Sequence, residues 1–111
     1  MWDFFTQLQA TDENEFDKML ALLSWSAGDG PPKNREKCNP VGDGVFEFKT
    51  KRVRICWFYD AGQLIICTHG FLKGKPKAQD REIASAKKIK REYFEQKKIG
   101  ATIQLRKRGE K

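Results

Sequence analysis

The side chains with the clearest chemical potential in this chain are cations, and they cluster. Lys49, Arg54, His69 and Lys73 fall within one run of alternating apolar residues, with Phe71 among them. Arg54 and Lys73 together suit a phosphate, the arginine as a planar fork and the lysine as a point charge. Lys49 adds a third positive charge. His69 is the single histidine, and imidazole is the side chain best fitted to carry a proton near neutral pH. Its alternative role is a hydrogen bond that orders a strand end. An exposed Phe71 would stack a nucleobase, whereas a partly covered one would belong to the core. Beyond it, Lys75, Lys77, Lys87, Lys88, Lys90 and Arg91 attract phosphate without reading sequence.

Other chemistries lack their residues. The chain has no P-loop, no GxGxxG, no HExxH and no EF-hand loop, and no carboxylate pair has catalytic spacing. Its three cysteines show neither CxxC nor a Cys/His spacing for zinc. Cys56 and Cys67 lie inside apolar strands, where a free thiol behaves as a small hydrophobe. No metal and no cofactor is expected.

The elements that must position these groups follow from periodicity. Trp2, Phe5 and Leu8 share one face of a short helix. Thr11-Asp12 with Glu15 reads as a capping box opening a second helix. Its core stripe is Phe16, Met19, Leu20, Leu23 and Ala27, and Gly28 to Pro32 ends it. Lys33 to Gly44 reads as a polar loop. Strands are expected at Val45 to Lys49, Val53 to Tyr59, and Leu64 to about Leu72. Ile83, Ala86, Ile89/Lys90 and Tyr93 mark a basic C-terminal helix, after which Ala101, Ile103 and Leu105 alternate as in a short terminal strand.

Register decides which cations meet. With Lys51-Arg52 as a two-residue loop, Lys49 falls opposite Arg54 and Glu47 opposite Cys56. With Ala61-Gly62 as a two-residue loop, Asp60 pairs with Gln63, Cys56 with Cys67 and Arg54 with His69. One face then carries Phe46, Phe48, Val53, Ile55, Trp57, Tyr59, Leu64, Ile66 and Leu72, and should receive the helices. The other carries Lys49, Arg54, His69, Phe71 and Lys73 and is left to work.

At 111 residues the chain reads as one domain, 1–111. No apolar run reaches membrane-spanning length and Met1-Trp2-Asp3 lacks a basic leader, so a cytoplasmic protein is expected. The net charge of +7 is uneven: from Phe71 onward there are 14 Lys/Arg against 5 Asp/Glu, and before it 8 against 10. A basic third on a near-neutral body points to a polyanion or an acidic protein partner.

Val45 to Lys49, then Arg54-Ile55-Cys56-Trp57-Phe58, then Ile65 to Lys73, resemble the phage-derived HigB-type toxins of the RelE/ParE superfamily of type II toxin–antitoxin modules. Lys75-Pro76-Lys77 followed by Arg81 to Ala86 matches that family's Lys/Pro turn before its last helix. The resemblance covers roughly Gly44 to Tyr93. It implies an α+β domain with the N-terminal helices and the C-terminal helix on one face of a small antiparallel sheet.

The same resemblance implies a ribosome-dependent mRNA endoribonuclease acting in the ribosomal A site, without metal, and neutralised by a cognate antitoxin, a helix-turn-helix protein by expectation. Arg54 matches the family's strand arginine, Lys73 the basic residue after the third strand, and Lys49 the basic position after the glutamate. Cleavage needs a base for the 2′-OH, an acid for the departing oxygen and charge for the phosphorane. Arg54 and Lys73 would hold the phosphate, and the base is open between His69 and Lys49. Phe71, Lys75, Lys77, Lys87, Lys88 and Arg91 would contact RNA. Two other readings are a ParE-like toxin acting on gyrase, and a relative that binds RNA or protein without cleaving it. Three positions depart from the pattern: Gly74 replaces a second lysine, the expected tyrosine falls near Gln79 or Asp80, and no strand precedes the first helix. Ala101 to Leu105 or a partner would replace that strand.

Overall fold

The computed structural model describes residues 2–109, with side chains described for residues 3–99. Two helices come first, α1 (Trp2–Thr11) and α2 (Glu13–Asp29). Asp12 caps α2, its carboxylate accepting the Glu15 backbone N–H at 3.3 Å. The second half of the expected capping box is absent. Glu15, buried, instead reaches away from its own helix to accept the backbone N–H of Arg52, and Arg52 also pairs with Asp12 at 2.9 Å. A local cap has become a long-range tie between α2 and the sheet.

The sheet is an antiparallel meander, β1 (Cys38–Gly42), β2 (Val45–Lys49), β3 (Val53–Asp60) and β4 (Leu64–Leu72), in that order. β1 lies where a polar loop was expected. Its Asn-Pro and glycine content reads as turn, yet Pro40 is tolerated because β1 is an edge strand with a register shift beside it. Gly42, Asp43 and Gly44 all take positive φ to close the β1–β2 turn.

β2 pairs with β3 as expected, Lys49 opposite Arg54 and Glu47 opposite Cys56. β3 pairs with β4 differently. The loop is Ala61-Gly62-Gln63, so Asp60 faces Leu64 and Trp57 faces Cys67. A bulge then lets Thr68 and His69 share the position opposite Cys56, and beyond it Arg54 faces Phe71. The extra loop residue turns Ile65 and Cys67 onto the Trp57 face, and the extra bulge residue returns Phe71 to the Arg54 face. Cys56 and Cys67 thus point to opposite sides, and Cys38, Cys56 and Cys67 are all free thiols.

The α+β class and the packing of helices on the sheet are as expected, but the helices divide between its two faces. α1 and α2 cover the first face, where Phe5, Leu8 and Met19 meet Phe48, Ile55 and Trp57. Trp57 is 1% exposed and stacks between Phe46 and Phe48, at centroid distances of 4.6 and 5.0 Å. Gly70 admits the Phe4 ring, which lies 2.5 Å from where a Cβ would be. The second face, with Val45, Cys56 and Phe71, is covered by Ala86 and Ile83 of α3 (Pro76–Gly109). This is the face expected to stand open.

Pro76 opens α3 at the one place where its missing N–H costs nothing. At 34 residues the helix runs about 51 Å, close to the 55 Å long dimension of the molecule. It continues through Ala101 to Leu105, so no terminal strand forms there. Extending a helix already nucleated adds one hydrogen bond per residue, whereas a lone strand would need a free edge beside it. No helix of the described residues is long and apolar enough to cross a membrane.

Candidate functional site

Three of the expected site residues converge at one end of the sheet. Lys49 ends β2, Arg54 stands opposite it on β3, and Lys73 follows β4, its N–H donating to the Arg52 carbonyl at 2.8 Å. Alternation beyond the bulge puts Phe71 and Lys73 on the same side as Arg54. No carboxylate pairs with Lys49, Lys73, Lys75 or Lys77 among the described residues. Lys73, Lys75 and Lys77 are exposed, and Lys49 is half-buried.

Arg54 is held rather than free. It is 8% exposed. Its Nη1 donates to the carbonyls of Thr50, at 2.5 Å, and Val53, at 3.0 Å. Its Nε lies 3.7 Å from Glu47 Oε1. Burial pushes the Glu47 carboxyl up from its ordinary range, and the Arg54 and Lys49 charges pull against that rise. Glu47 Oε2 has no hydrogen-bond partner in the described structure. The guanidinium is therefore fixed in direction, on a side chain about 10% exposed, beside two freer lysines.

His69 is engaged on both sides. Its Nε2 lies 2.7 Å from Glu82 Oε2 on α3, and its Nδ1 lies 3.1 Å from Thr68 Oγ1. Thr68 Oγ1 also donates to the Cys56 carbonyl at 3.1 Å. The ring stacks on Phe71 at 5.4 Å. This arrangement latches α3 to the bulge of β4, which is the strand-ordering alternative for His69. Phe71, 8% exposed and packed with Ala86, cannot offer its face to a base. An RNA-stacking Phe71 is thereby corrected: α3 covers the face on which it was expected to stand open.

The basic residues of α3 divide by position. Lys87 lies 3.5 Å from Asp43 Oδ2, and Lys90 donates to the Asp43 carbonyl at 2.5 Å. Both bind the β1–β2 turn, where the glycines leave room for their ammonium groups. Lys88 pairs one turn along with Glu92 at 3.8 Å, and Arg91 is exposed. Further on, Lys97 and Tyr93 bind buried Asp60, Lys97 Nζ to Oδ2 at 2.7 Å and Tyr93 Oη to Oδ2 at 2.6 Å. Those hydrogen bonds, Lys97 first, hold the Asp60 carboxyl below its usual range and raise both partners.

Burial disfavours the thiolate form of all three cysteines. Burial pushes Cys56 up to about 12, helped by the Glu47 and Glu82 charges, and also raises Cys38 and Cys67. No group of His, Cys, Asp and Glu among the described residues is placed to hold a metal ion. Sequence reasoning missed Glu47 and Glu82 as the partners that hold Arg54 and His69. The alternation of Glu47 onto the Arg54 face was the available signal for the first.

A family model described as phage derived protein Gp49-like (DUF891) matches residues 6–91. The chain belongs to the Gp49-like family. This family is related to the RelE/ParE-type toxins, in keeping with the resemblance carried by β2, β3 and β4. The Gp49-like match takes in the whole sheet, Lys49, Arg54, His69 and Lys73, and the first half of α3. No curated protein and no solved structure matches the chain.

Proposed function

We propose that this Gp49-like protein is the toxin of a type II toxin–antitoxin module, of the HigB kind, and that it cleaves mRNA on the ribosome. Family membership carries the toxin reading. The corner of Lys49, Arg54 and Lys73 supports the chemistry. Arg54, fixed by two carbonyls and Glu47, would brace the scissile phosphate and its developing charge without reorganising. Lys73 would approach from the exposed end of β4. Lys49 is the better-placed general base, because both ring nitrogens of His69 already have partners. A cognate antitoxin would neutralise the protein by laying an acidic surface over these cations.

One observation favours a second reading. Arg54 is nearly sealed, and a relative that binds RNA without cutting it needs no accessible guanidinium. Incubating the protein with mRNA, with and without translating ribosomes and beside a DNA gyrase supercoiling assay, separates the readings. Cleavage confined to ribosomes is the expected result. Intact mRNA with inhibited gyrase, or intact mRNA that the protein merely binds, would overturn it.

A further inference from the structure

A second basic site adjoins the corner just described through Lys49 and extends along one side of α2. Lys18, Ala21, Leu22 and Trp25 follow one another at i, i+3, i+4 and i+7, so they form a single helix face. That face is one wall of a cleft of about 890 Å³. The α2–β1 loop, with Lys33 and Lys37, makes the second wall, and Lys49 to Lys51 at the β2–β3 turn close it. Backbone bonds tie the loop to the end of β2, and the Glu15 carboxylate ties α2 to the β2–β3 turn through the Arg52 N–H. The Asn34 carbonyl accepts from Lys37 and Cys38, and the Lys37 carbonyl accepts from Lys49 at 2.8 Å. The cleft is therefore built before any ligand arrives.

Two properties of the lining select an occupant. Trp25 is 59% exposed, the most exposed large hydrophobic side chain in the described structure, although it sits on a helix with a core to fill. Around it stand five lysines and one glutamate, and none of those lysines forms an ion pair. The cations ask for a polyanion and the bare indole asks for a flat ring. Single-stranded nucleic acid supplies both at every unit, whereas a duplex keeps its rings stacked inside and an acidic peptide brings charge without a ring. Lys49 lines this cleft and also stands opposite Arg54.

We infer that the cleft seats a single strand of RNA, with a base stacked on Trp25 and phosphates on Lys18, Lys33, Lys37 and Lys51, and that Lys49 passes the strand to the Arg54 corner. The choice of RNA rests on the cleavage reading above. The base on Trp25 would lie upstream or downstream of the cut, so the cleft would set which stretch of message is gripped while the corner acts on the phosphate.

The test uses a short fluorescein-labelled 2′-O-methyl RNA, which lacks the 2′-OH needed for cleavage, and follows its anisotropy. Trp25→Ala should weaken binding about tenfold and Trp25→Phe should restore most of it. Lys33→Glu with Lys37→Glu should weaken it and flatten the log–log salt slope by about 0.7 for each phosphate no longer neutralised. Binding unchanged in Trp25→Ala would overturn the inference, as would equal competition by polyglutamate that itself depends on Trp25, the mark of a peptide site. Ribosome assays on the same proteins keep the two claims apart. Trp25-dependent RNA binding without cleavage would remove the cleavage reading and leave the cleft. Cleavage with Trp25-independent RNA binding would remove the cleft alone.

Discussion

The two faces of the sheet are covered by helices held in different ways. On the α1/α2 face the contact is mainly apolar, with Trp57 between Phe46 and Phe48 and a layer of Phe5, Leu8 and Met19 above, and the polar tie of Arg52 to Asp12 and Glu15 lies at its margin. On the α3 face the apolar patch is small, and polar links do much of the holding. Glu82 meets His69, Lys87 and Lys90 meet Asp43, and Lys97 and Tyr93 meet Asp60. Apolar burial is indifferent to pH and salt, while charged links respond to both. The first face therefore sets stability, and the second carries the groups whose charge can be used.

The largest test of this contrast is Trp57→Ala, which should cost about 3–5 kcal/mol in chemical denaturation, with little dependence on pH. A cost that varied strongly between pH 5 and 8 would break the division between the faces. Arg54→Ala should cost less, about 2 kcal/mol, because it strands Glu47 in a buried position. Adding Glu47→Gln should recover part of that loss, a coupling readable in a double-mutant cycle. Glu47, whose carboxyl is raised by burial, disfavours the folded state once ionised. The penalty is absent below the ordinary value of 4.5 and grows as pH rises through the folded one. In Arg54→Ala it should grow further. Stability of the two proteins should therefore converge on acidification.

Asp60 gives the opposite sign and the smallest effect. Its carboxyl is lowered by Lys97 and Tyr93, so it contributes stability above its ordinary value of 3.8 that is lost as pH falls through the folded one. Asp60→Asn should lower Tm at neutral pH, and the difference should close in acid. A difference that persisted below pH 3 would mean that shape rather than charge holds this end of α3.

Much of this arrangement was legible in the residues, and the failures have physical causes. The β2–β3 register followed from alternation, because a slip would have exposed Trp57. The β3–β4 register did not, since a three-residue loop and a bulge each add one residue, and neither leaves a mark in composition. β1 was hidden because Asn39, Pro40 and Gly42 read as a turn, and only pairing with β2 makes them a strand. The meeting of Lys49 and Arg54 was readable from pairing, and Lys73 joins them on that side because the extra loop residue and the extra bulge residue offset one another. The latch from His69 to Glu82 depends on α3 crossing that face, which a half-polar strand pattern does not announce. Arg54 is held by local carbonyls and Glu47, which pairing alone does not reveal. Trp25 was passed over because it falls off the core stripe of α2. A large aromatic off the stripe, followed by a lysine-rich loop, was the signal.

The central claim is that the cation corner performs chemistry, and Lys73 tests it best. Its side chain is exposed and unpaired, so Lys73→Ala should leave Tm unchanged, whereas Arg54→Ala confounds activity with folding. The decisive measurement is the single-turnover rate of mRNA cleavage on translating ribosomes, wild type against Lys73→Ala. Loss of a group that stabilises developing charge should slow it about a hundredfold. An unchanged rate in the folded variant, or no cleavage by the wild type, would contradict the account.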